Sequence, residues 1–240
     1  MALTASDESR LVFVYKMKFT EEYTLEFPVH IDKATNTFMV LTPQNPAPFW
    51  TELDYHQCSN CPLLKENTPF CPVAVNLVPL IALCGAMASY ENVYVEVIAP
   101  ERNISSETSA QRVLSSILGL IIATSPCPHT EYFKPMARFH LPLASEDETI
   151  YRASSTFLLA QYFLFKEGKA YSCDLDGLTK IYAEMKVVNR GLARRVKAAI
   201  SEDAAVNGII LLDLLTQSVT WSIEDGLEGL RYLFKRYGVD

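Results

Sequence analysis

The chain of 240 residues is 49% hydrophobic and 20% charged, and its formal net charge is −7 at pH 7. This composition is typical of a folded protein that buries a substantial core, and it excludes a disordered chain. The acidic balance argues against non-specific binding to nucleic acid or to an anionic membrane.

The beginning of the chain, MALTASDESR, lacks the basic region and the apolar run of a signal peptide. This predicts a cytoplasmic protein whose cysteines stay reduced. The most apolar stretch, VAVNLVPLIALCGAMA, is shorter than the roughly 20 residues that cross a bilayer as a helix. It is therefore interpreted as a buried core helix.

The first third of the chain alternates apolar and polar residues, a pattern typical of half-buried strands. The alternation is clearest in YTLEFPVHI, and LVFVYKMKF, TFMVLT and NVYVEVIAP are predicted to be strands as well. The turn-forming residues DKATN between two of these runs favour an antiparallel meander. Pro28 falls on the polar side of its strand, which favours an edge position or a bulge there.

From about residue 105 the apolar residues recur with a helical period. Thr108 with Gln111, and Ser145 with Glu148, have the spacing of capping boxes, so each pair predicts the start of a helix. The helix over 146–166 is apolar on more than one face, which predicts a position in the middle of the fold.

The next helix carries one apolar seam with spacings of three and four residues, formed by Leu175, Leu178, Tyr182, Met185, Asn189, Leu192, Val196 and Ala199. This seam predicts packing against neighbouring helices of the same chain, and self-association or an unknown protein partner is the alternative use. Two shorter amphipathic helices are predicted near 202–218 and 223–236.

Together these patterns predict an α+β protein, in which an N-terminal antiparallel β meander is followed by a C-terminal bundle of amphipathic helices. The β layer is assigned to residues 1–104 and includes a cysteine-rich segment at 56–74. The helical region is assigned to residues 105–240 and is expected to pack on the β layer as one compact unit.

The cysteines give the clearest chemical signal in the chain. Cys58, Cys61 and Cys71 form the pattern C-x2-C-x9-C, and Cys127 lies in a second turn-rich segment, TSPCPHTEYF. A C-x2-C pair can bind one ion through two thiolates at about 2.3 Å, and two further ligands complete the tetrahedron of zinc. The sequence therefore predicts a zinc site formed by these four cysteines.

Proline follows three of these cysteines directly, namely Cys61, Cys71 and Cys127. Proline is favoured at the first position of a helix, so each cysteine is expected just before a helix start. The N-terminus of a helix lowers the pKa of a cysteine and favours the thiolate that binds metal.

Other interpretations of the cysteines stay open in the sequence. His129, and after it His56, is an alternative fourth ligand in place of Cys127. An iron–sulfur cluster also takes four cysteines and would imply a redox or sensing role. Cysteines are also common as plain core residues, the role expected of Cys84 and Cys173.

A basic cluster stands out in this acidic chain, formed by Lys134, Arg138, His140 and Arg152. One interpretation is an anion pocket, in which these residues and the helix start at Ser145 converge on a phosphate or a carboxylate. The other is ordinary ion pairing on the surface, for example between Arg152 and a glutamate one turn earlier, and this interpretation is favoured.

No motif assigns a catalytic residue. The sequence contains no G-x-S-x-G, no phosphate-binding glycine loop and no H-E-x-x-H. Cys127 and His129 could form a nucleophile and base, but the same two residue types are equally natural as metal ligands. The favoured function is a metal-binding protein without catalysis that acts as a regulatory or interaction subunit, and an enzyme or ligand sensor using the anion pocket is the alternative.

The motifs CSNCPL, FCPVAVNL, ATSPCPHTEYFKPMARFHLPLAS and ETIYRASSTFLLAQYF resemble an uncharacterised bacterial family of unknown function. The resemblance covers most of the chain. It implies a bacterial, cytoplasmic setting and supplies no activity, substrate or catalytic residue.

Overall fold

The computed structural model describes residues 9–40, 46–84, 87–200 and 203–239, and for Cys84 it describes the backbone but not the side chain. The described residues form one five-stranded antiparallel sheet with the order β3-β2-β1-β4-β5. Its strands are β1 Arg10–Lys18, β2 Thr24–Asp32, β3 Thr37–Phe38, β4 Asn92–Ala99 and β5 Arg102–Ser109.

Helices make up most of the remaining described chain. They are α1 Pro72–Cys84, α2 Ala110–Ala123, α3 Lys134–Arg138, α4 Glu146–Lys166, α5 Asp176–Ala199, α6 Ala204–Glu224 and α7 Glu228–Arg231. Short 3-10 helices lie at Phe49–Thr51, Glu131–Phe133 and Tyr232–Tyr237. The predicted α+β class, with an antiparallel sheet first and helices after it, is confirmed.

The alternation of the strands sets which face of the sheet is buried. In β1 every second residue is buried, and β2 and β4 follow the same pattern on the same side, where helices cover the sheet. The strands β1 to β3 form the predicted meander, and the hairpin β4–β5 pairs with the free edge of β1. The buried residues are Leu11, Phe13, Tyr15, Met17, Phe27, Val29, Ile31, Val93, Val95 and Val97.

Pro28 has no backbone N–H to donate, and it lies in a part of β2 that has a described neighbouring strand on one side only. It sits opposite Val14 of β1, whereas β3 pairs only with Ile31 and Asp32 on the other side of β2. Within the described sheet, no strand therefore flanks the outer side of Pro28, and the predicted edge position is confirmed.

The main core joins the buried face of the sheet to α1, α2, α5 and α6. Helix α2 is buried nearly all round, because it lies between the sheet and α6. Gly208 permits the close approach of α6, since a Cβ there would lie 3.1 Å from the backbone N of Ser115 and 2.9 Å from Cδ1 of Leu118. The predicted core helix at 72–84 is also confirmed, with Pro79 inside it.

The apolar seam of α5 faces inward, as the sequence predicted. Leu178, Tyr182, Met185, Leu192 and Val196 are all buried. Its polar member, Asn189, is accommodated because its amide donates a hydrogen bond of 3.3 Å to the hydroxyl of a buried threonine on α6. The seam therefore packs within the chain.

Two local predictions are wrong. Helix α2 begins at Ala110 with no side-chain cap, because strand β5 continues through Thr108 to Ser109 and pairs with β4. Helix α4 lies on the surface and buries only Ile150, Ala153 and Ser154. Many of its other apolar residues stay exposed, because only one face of α4 meets other helices. The exposed residues are Tyr151, Leu158, Leu159, Tyr162, Phe163 and Phe165. The capping box of Ser145 and Glu148 is confirmed at the start of α4.

One described helix, α6, is long and apolar enough to cross a membrane when judged by length and composition alone. In the structure 22% of its most apolar window is buried. A single helix of this kind is weak evidence for a membrane span, because the core helix of a folded protein passes the same test.

Candidate functional site

The C-x2-C segment forms a tight turn on the surface of the helical layer. The N–H of Cys61 donates to the carbonyl of Cys58 at 3.0 Å, and both cysteines are half-buried. Helix α5 packs directly against this turn at Gly191, where a Cβ would lie 2.7 Å from Sγ of Cys58. A side chain at this position would therefore force the sulfur of Cys58 to move.

Cys71 stands immediately before α1. Its N–H donates to the carbonyl of Thr51 at 2.7 Å, and its carbonyl accepts from Val75 at 3.0 Å in the first turn of the helix. Of the three cysteine–proline pairs, this is the one that begins an α-helix. Cys61 is followed by an irregular segment, and Cys127 by a turn that leads into the 3-10 helix at Glu131–Phe133. The expected helix start is therefore wrong for these two cysteines, because tight local turns form there instead.

Cys127 is buried in a turn that closes on its own carbonyl, which accepts hydrogen bonds from the N–H of Thr130 at 2.9 Å and from its hydroxyl at 3.1 Å. His129 connects this turn to the C-x2-C segment. Its Nε2 donates to the carbonyl of Asn60 at 2.8 Å, and its Nδ1 lies 3.9 Å from a carboxylate oxygen of Glu184. Both ring nitrogens therefore already face protein groups.

Burial and neighbouring cysteines raise the pKa of Cys58 and of Cys127. Burial raises the pKa of Cys58 to about 11, with further raising contributions from Cys71, Cys61 and Cys127. Burial also raises the pKa of Cys127, hydrogen bonds from His129 and Thr130 oppose this, and Cys71 and Cys61 raise it further. The thiols thus lie within electrostatic range of one another.

Electrostatic range is longer than coordination distance. Among the described residues, no group of three or more His, Cys, Asp or Glu side chains has the close arrangement that holds a metal ion. Electrostatic neighbours can still be several ångströms further apart than the ligands of one ion, whose sulfurs each lie about 2.3 Å from the metal. The sulfur atoms would have to move closer to one another to share an ion.

A buried arginine lies beside these thiols. Arg195 of α5 is 1% exposed and donates to the carbonyls of Trp50, Glu52 and Leu53 at 2.8, 2.6 and 2.7 Å. In the described part of the chain it forms no ion pair within 4 Å, and its Nε has no hydrogen-bond partner. Its charge lowers the pKa of Cys58 against the larger effect of burial. Sequence reasoning missed this residue, because an arginine in a charged helix is expected to face solvent.

The remaining cysteines and His56 lie apart from this arrangement or outside the description. Cys173 is exposed in the segment before α5. The side chain of Cys84 lies outside the described residues, so its expected core position is not described. His56 is exposed with a positive φ of 48°, and its ring packs against Tyr55.

The structure separates the four residues of the basic cluster into two pairs with different surroundings. Lys134 pairs with Glu131 at 3.0 Å, and Arg138 lies over the ring of Phe139 at 5.7 Å. His140 and Arg152 instead line a cavity of about 560 Å³ between α2, α3, α4, α5 and α6.

Arg152 does not pair with Glu148 as expected. Its Nη2 donates to the carbonyls of Met136 and Phe139 at 2.6 and 3.2 Å, and no carboxylate of the described chain lies within 4 Å of it. Glu148 instead accepts from the N–H of Ser145, so the start of α4 is already capped by a carboxylate.

A chain of hydrogen bonds leads from the sheet to the cavity. The hydroxyl of Tyr15 lies 2.9 Å from Oγ of Ser116 and 2.6 Å from Nε2 of His140. Burial lowers the pKa of His140 to about 3, helped by the charge of Arg152, so its ring is neutral at pH 7. Burial also raises the pKa of Tyr15, so its hydroxyl keeps its proton.

The fold and the site define an α+β protein with an antiparallel sheet covered on one face by helices and with a helix-lined cavity. A family model described as domain of unknown function (DUF6901) matches residues 13–235, which is most of the chain, and the chain belongs to this family. The curated proteins and the solved structures gave no match to the chain.

Proposed function

We propose that Cys58, Cys61, Cys71 and Cys127 bind one zinc ion, and that this ion is structural. The observation that carries the proposal is that the fold brings three separate cysteine-bearing segments towards one another. His129 joins the Cys127 turn to the C-x2-C segment, and Cys58 and Cys71 pack against the main core that contains Cys127. The ion would join the C-x2-C segment, the start of α1 and the turn before the 3-10 helix at Glu131–Phe133. Four protein ligands leave no open position for substrate, which is typical of structural zinc.

In the metal-free protein, burial keeps the thiols of Cys58 and Cys127 protonated, which disfavours a role as nucleophile. A pKa of about 11 leaves Cys58 protonated at pH 7, and the pKa of Cys127 is raised as well. A protonated thiol is a poor nucleophile. Zinc would displace these protons on binding, so the ion would stabilise the thiolates that the protein alone does not favour.

Arg195 supports the charge balance of the proposed site. Four thiolates and one Zn²⁺ carry a net charge of −2, which is costly to bury without compensation. The Arg195 guanidinium is buried, has carbonyl partners only, and already acts on the pKa of Cys58. A neighbouring anionic zinc site would give this cation the negative partner that the described residues do not place within 4 Å of it.

Cys127 is the better fourth ligand than His129. Nε2 of His129 is engaged with the carbonyl of Asn60, and Nδ1 faces Glu184. Using Nε2 as a ligand would break the contact that holds the Cys127 turn against the C-x2-C segment, and Nδ1 is directed towards the carboxylate of Glu184. His129 is therefore assigned a positioning role.

Elemental analysis of purified protein tests the proposal. The expected result is one equivalent of zinc per chain, most of which is lost in Cys61→Ser and retained in Cys173→Ser, because Cys173 is exposed and apart from the site. Less than a tenth of an equivalent of any transition metal would refute it. Protein purified without oxygen tests the iron–sulfur alternative, since a cluster would give a coloured protein and zinc a colourless one.

A further inference from the structure

The cavity between α2, α3, α4, α5 and α6 has the properties of a small-molecule site. Its volume of about 560 Å³ lies within the range of natural ligand pockets. Most of its wall is apolar, and the apolar side chains include Leu120, Met136, Leu141, Leu211 and Leu215. A ligand with an apolar body would bury that body against these residues.

His140 lines the same cavity, and its ring is neutral at pH 7. Its Nε2 lies 2.6 Å from the hydroxyl of Tyr15, which in turn lies 2.9 Å from Oγ of Ser116. Oγ of Ser116 also accepts from the N–H of Leu143 at 3.1 Å. These contacts hold the neutral ring of His140 in the wall of the cavity.

The charged residues that line the cavity are Arg112, Glu146 and Arg152. Arg112 and Glu146 are exposed, whereas Arg152 is half-buried. Nη2 of Arg152 donates to two backbone carbonyls, while Nη1 and Nε remain without a hydrogen bond in the described structure. Glu148 acts on Arg152 electrostatically, but no carboxylate of the described residues lies within 4 Å of the guanidinium. A planar guanidinium with free donors is suited to bind a carboxylate.

We propose that this cavity binds an amphipathic monocarboxylate, whose carboxylate accepts from Arg152 while its apolar body lies against the leucines of α6. The occupant is a small molecule with one carboxylate and an extended apolar part, such as a medium-chain fatty acid. Phosphate fits less well, because it has no apolar part to lie against the leucines of the wall.

Isothermal titration and thermal shift with decanoate test the proposal. Decanoate is expected to bind with one-to-one stoichiometry and to raise Tm, whereas decanol, which has the same apolar chain without the charge, binds about tenfold more weakly. Acetate and inorganic phosphate are expected to give no shift, because neither fills the apolar part. Equal affinity for decanoate and decanol would overturn the proposal.

Two variants identify the site. Arg152→Gln should weaken decanoate about tenfold or more and leave decanol unchanged, while Arg152→Lys should recover part of the loss because it keeps the charge. Leu215→Trp, which fills the apolar part of the cavity and keeps Arg152 in the sequence, should abolish binding of both probes and keeps the test valid if Arg152→Gln fails to fold. Decanoate binding that survives either Arg152→Gln or Leu215→Trp at wild-type affinity would contradict the assignment.

Discussion

Replacement of Gly191 by alanine tests the proposed zinc site through the helix that supports it. A Cβ at this position would lie 2.7 Å from Sγ of Cys58, 3.6 Å from the carbonyl of His56 and 3.9 Å from Cα of Cys58. Of these three atoms, only the sulfur of Cys58 would lie too close to the new Cβ. It can move away only by rotation about the Cα–Cβ bond of Cys58. A Cβ at Gly191 would therefore restrict the rotamers through which Cys58 can bring its sulfur to the ion.

The expected free-energy change depends on whether zinc is bound. In an α-helix, alanine is favoured over glycine by about 1 kcal/mol, which offsets part of an overpacking cost of about 1–3 kcal/mol. Metal-free protein, in which Cys58 can rotate, should therefore change in stability by less than about 1 kcal/mol. Zinc-bound protein cannot rotate Cys58 without losing a ligand, so we expect at least a tenfold faster transfer of zinc to a chelator.

Chelator competition and differential scanning calorimetry, each on metal-free and zinc-bound protein, measure the two effects. Gly229→Ala is the matched control, because a Cβ there meets no atom within 4 Å and Gly229 lies in α7. For a chain of this length 1 kcal/mol corresponds to about 2–4 °C in Tm. If Gly191→Ala holds zinc as tightly as Gly229→Ala does, Cys58 is not a ligand in the described arrangement.

Three further predictions follow from the thiols and from His140. Cys61→Ser should lower the Tm of zinc-bound protein by several degrees and leave most helical circular dichroism intact, because the core does not depend on the ion; Cys173→Ser should change neither. In metal-free protein the pKa of Cys58 is raised from 9.0 to about 11, so the folded state holds its proton more tightly than the unfolded state. Tm should therefore fall as pH rises from 9 to 11, and zinc should remove this dependence because the thiolates are then already formed; an unchanged slope with zinc would contradict the ligand assignment. The pKa of His140 is lowered from 6.5 to about 3, so the unfolded state takes up a proton first as pH falls, and stability should be lost between these values. His140→Phe should flatten the acid limb of Tm against pH, and an equally steep limb in this variant would show that other groups cause it.

The sequence predicted those parts of the fold that depend on local pattern. Alternation identified β1, β2 and β4, because one face of each strand is buried and the other is not. The pair Ser145 and Glu148 identified the start of α4, because a capping box is satisfied by residues three apart. The α5 seam was recognised because its buried residues repeat along one face of the helix.

The wrong predictions concern segments whose structure or burial depends on tertiary contacts. Strand β5 is polar along much of its length and lies at an edge of the sheet, so it has no alternation to detect. Helix α4 is rich in apolar residues, yet how many of them are buried depends on how many neighbours the fold brings to it. Neither fact is encoded in the spacing of residues within the segment itself.

The two candidate sites differ in how far the sequence identifies them. The C-x2-C-x9-C spacing pointed to Cys58, Cys61 and Cys71 because thiols close in sequence are readily compared with metal-site patterns. The cavity combines Ser116, His140 and Arg152 from three separate parts of the chain, with no characteristic spacing, and Tyr15 of the sheet contacts two of them. The polar residues of the cavity can therefore be recognised as one group only in the folded structure.

X-ray absorption spectroscopy at the zinc edge tests the central claim most directly, because it counts the atoms bound to the ion and identifies their elements. The account predicts four sulfur neighbours at about 2.3 Å and no nitrogen or oxygen neighbour in the purified protein. Three sulfurs with one nitrogen at about 2.0–2.1 Å would place a histidine in the site and contradict the assignment of Cys127. Protein that contains no zinc would contradict the site as a whole.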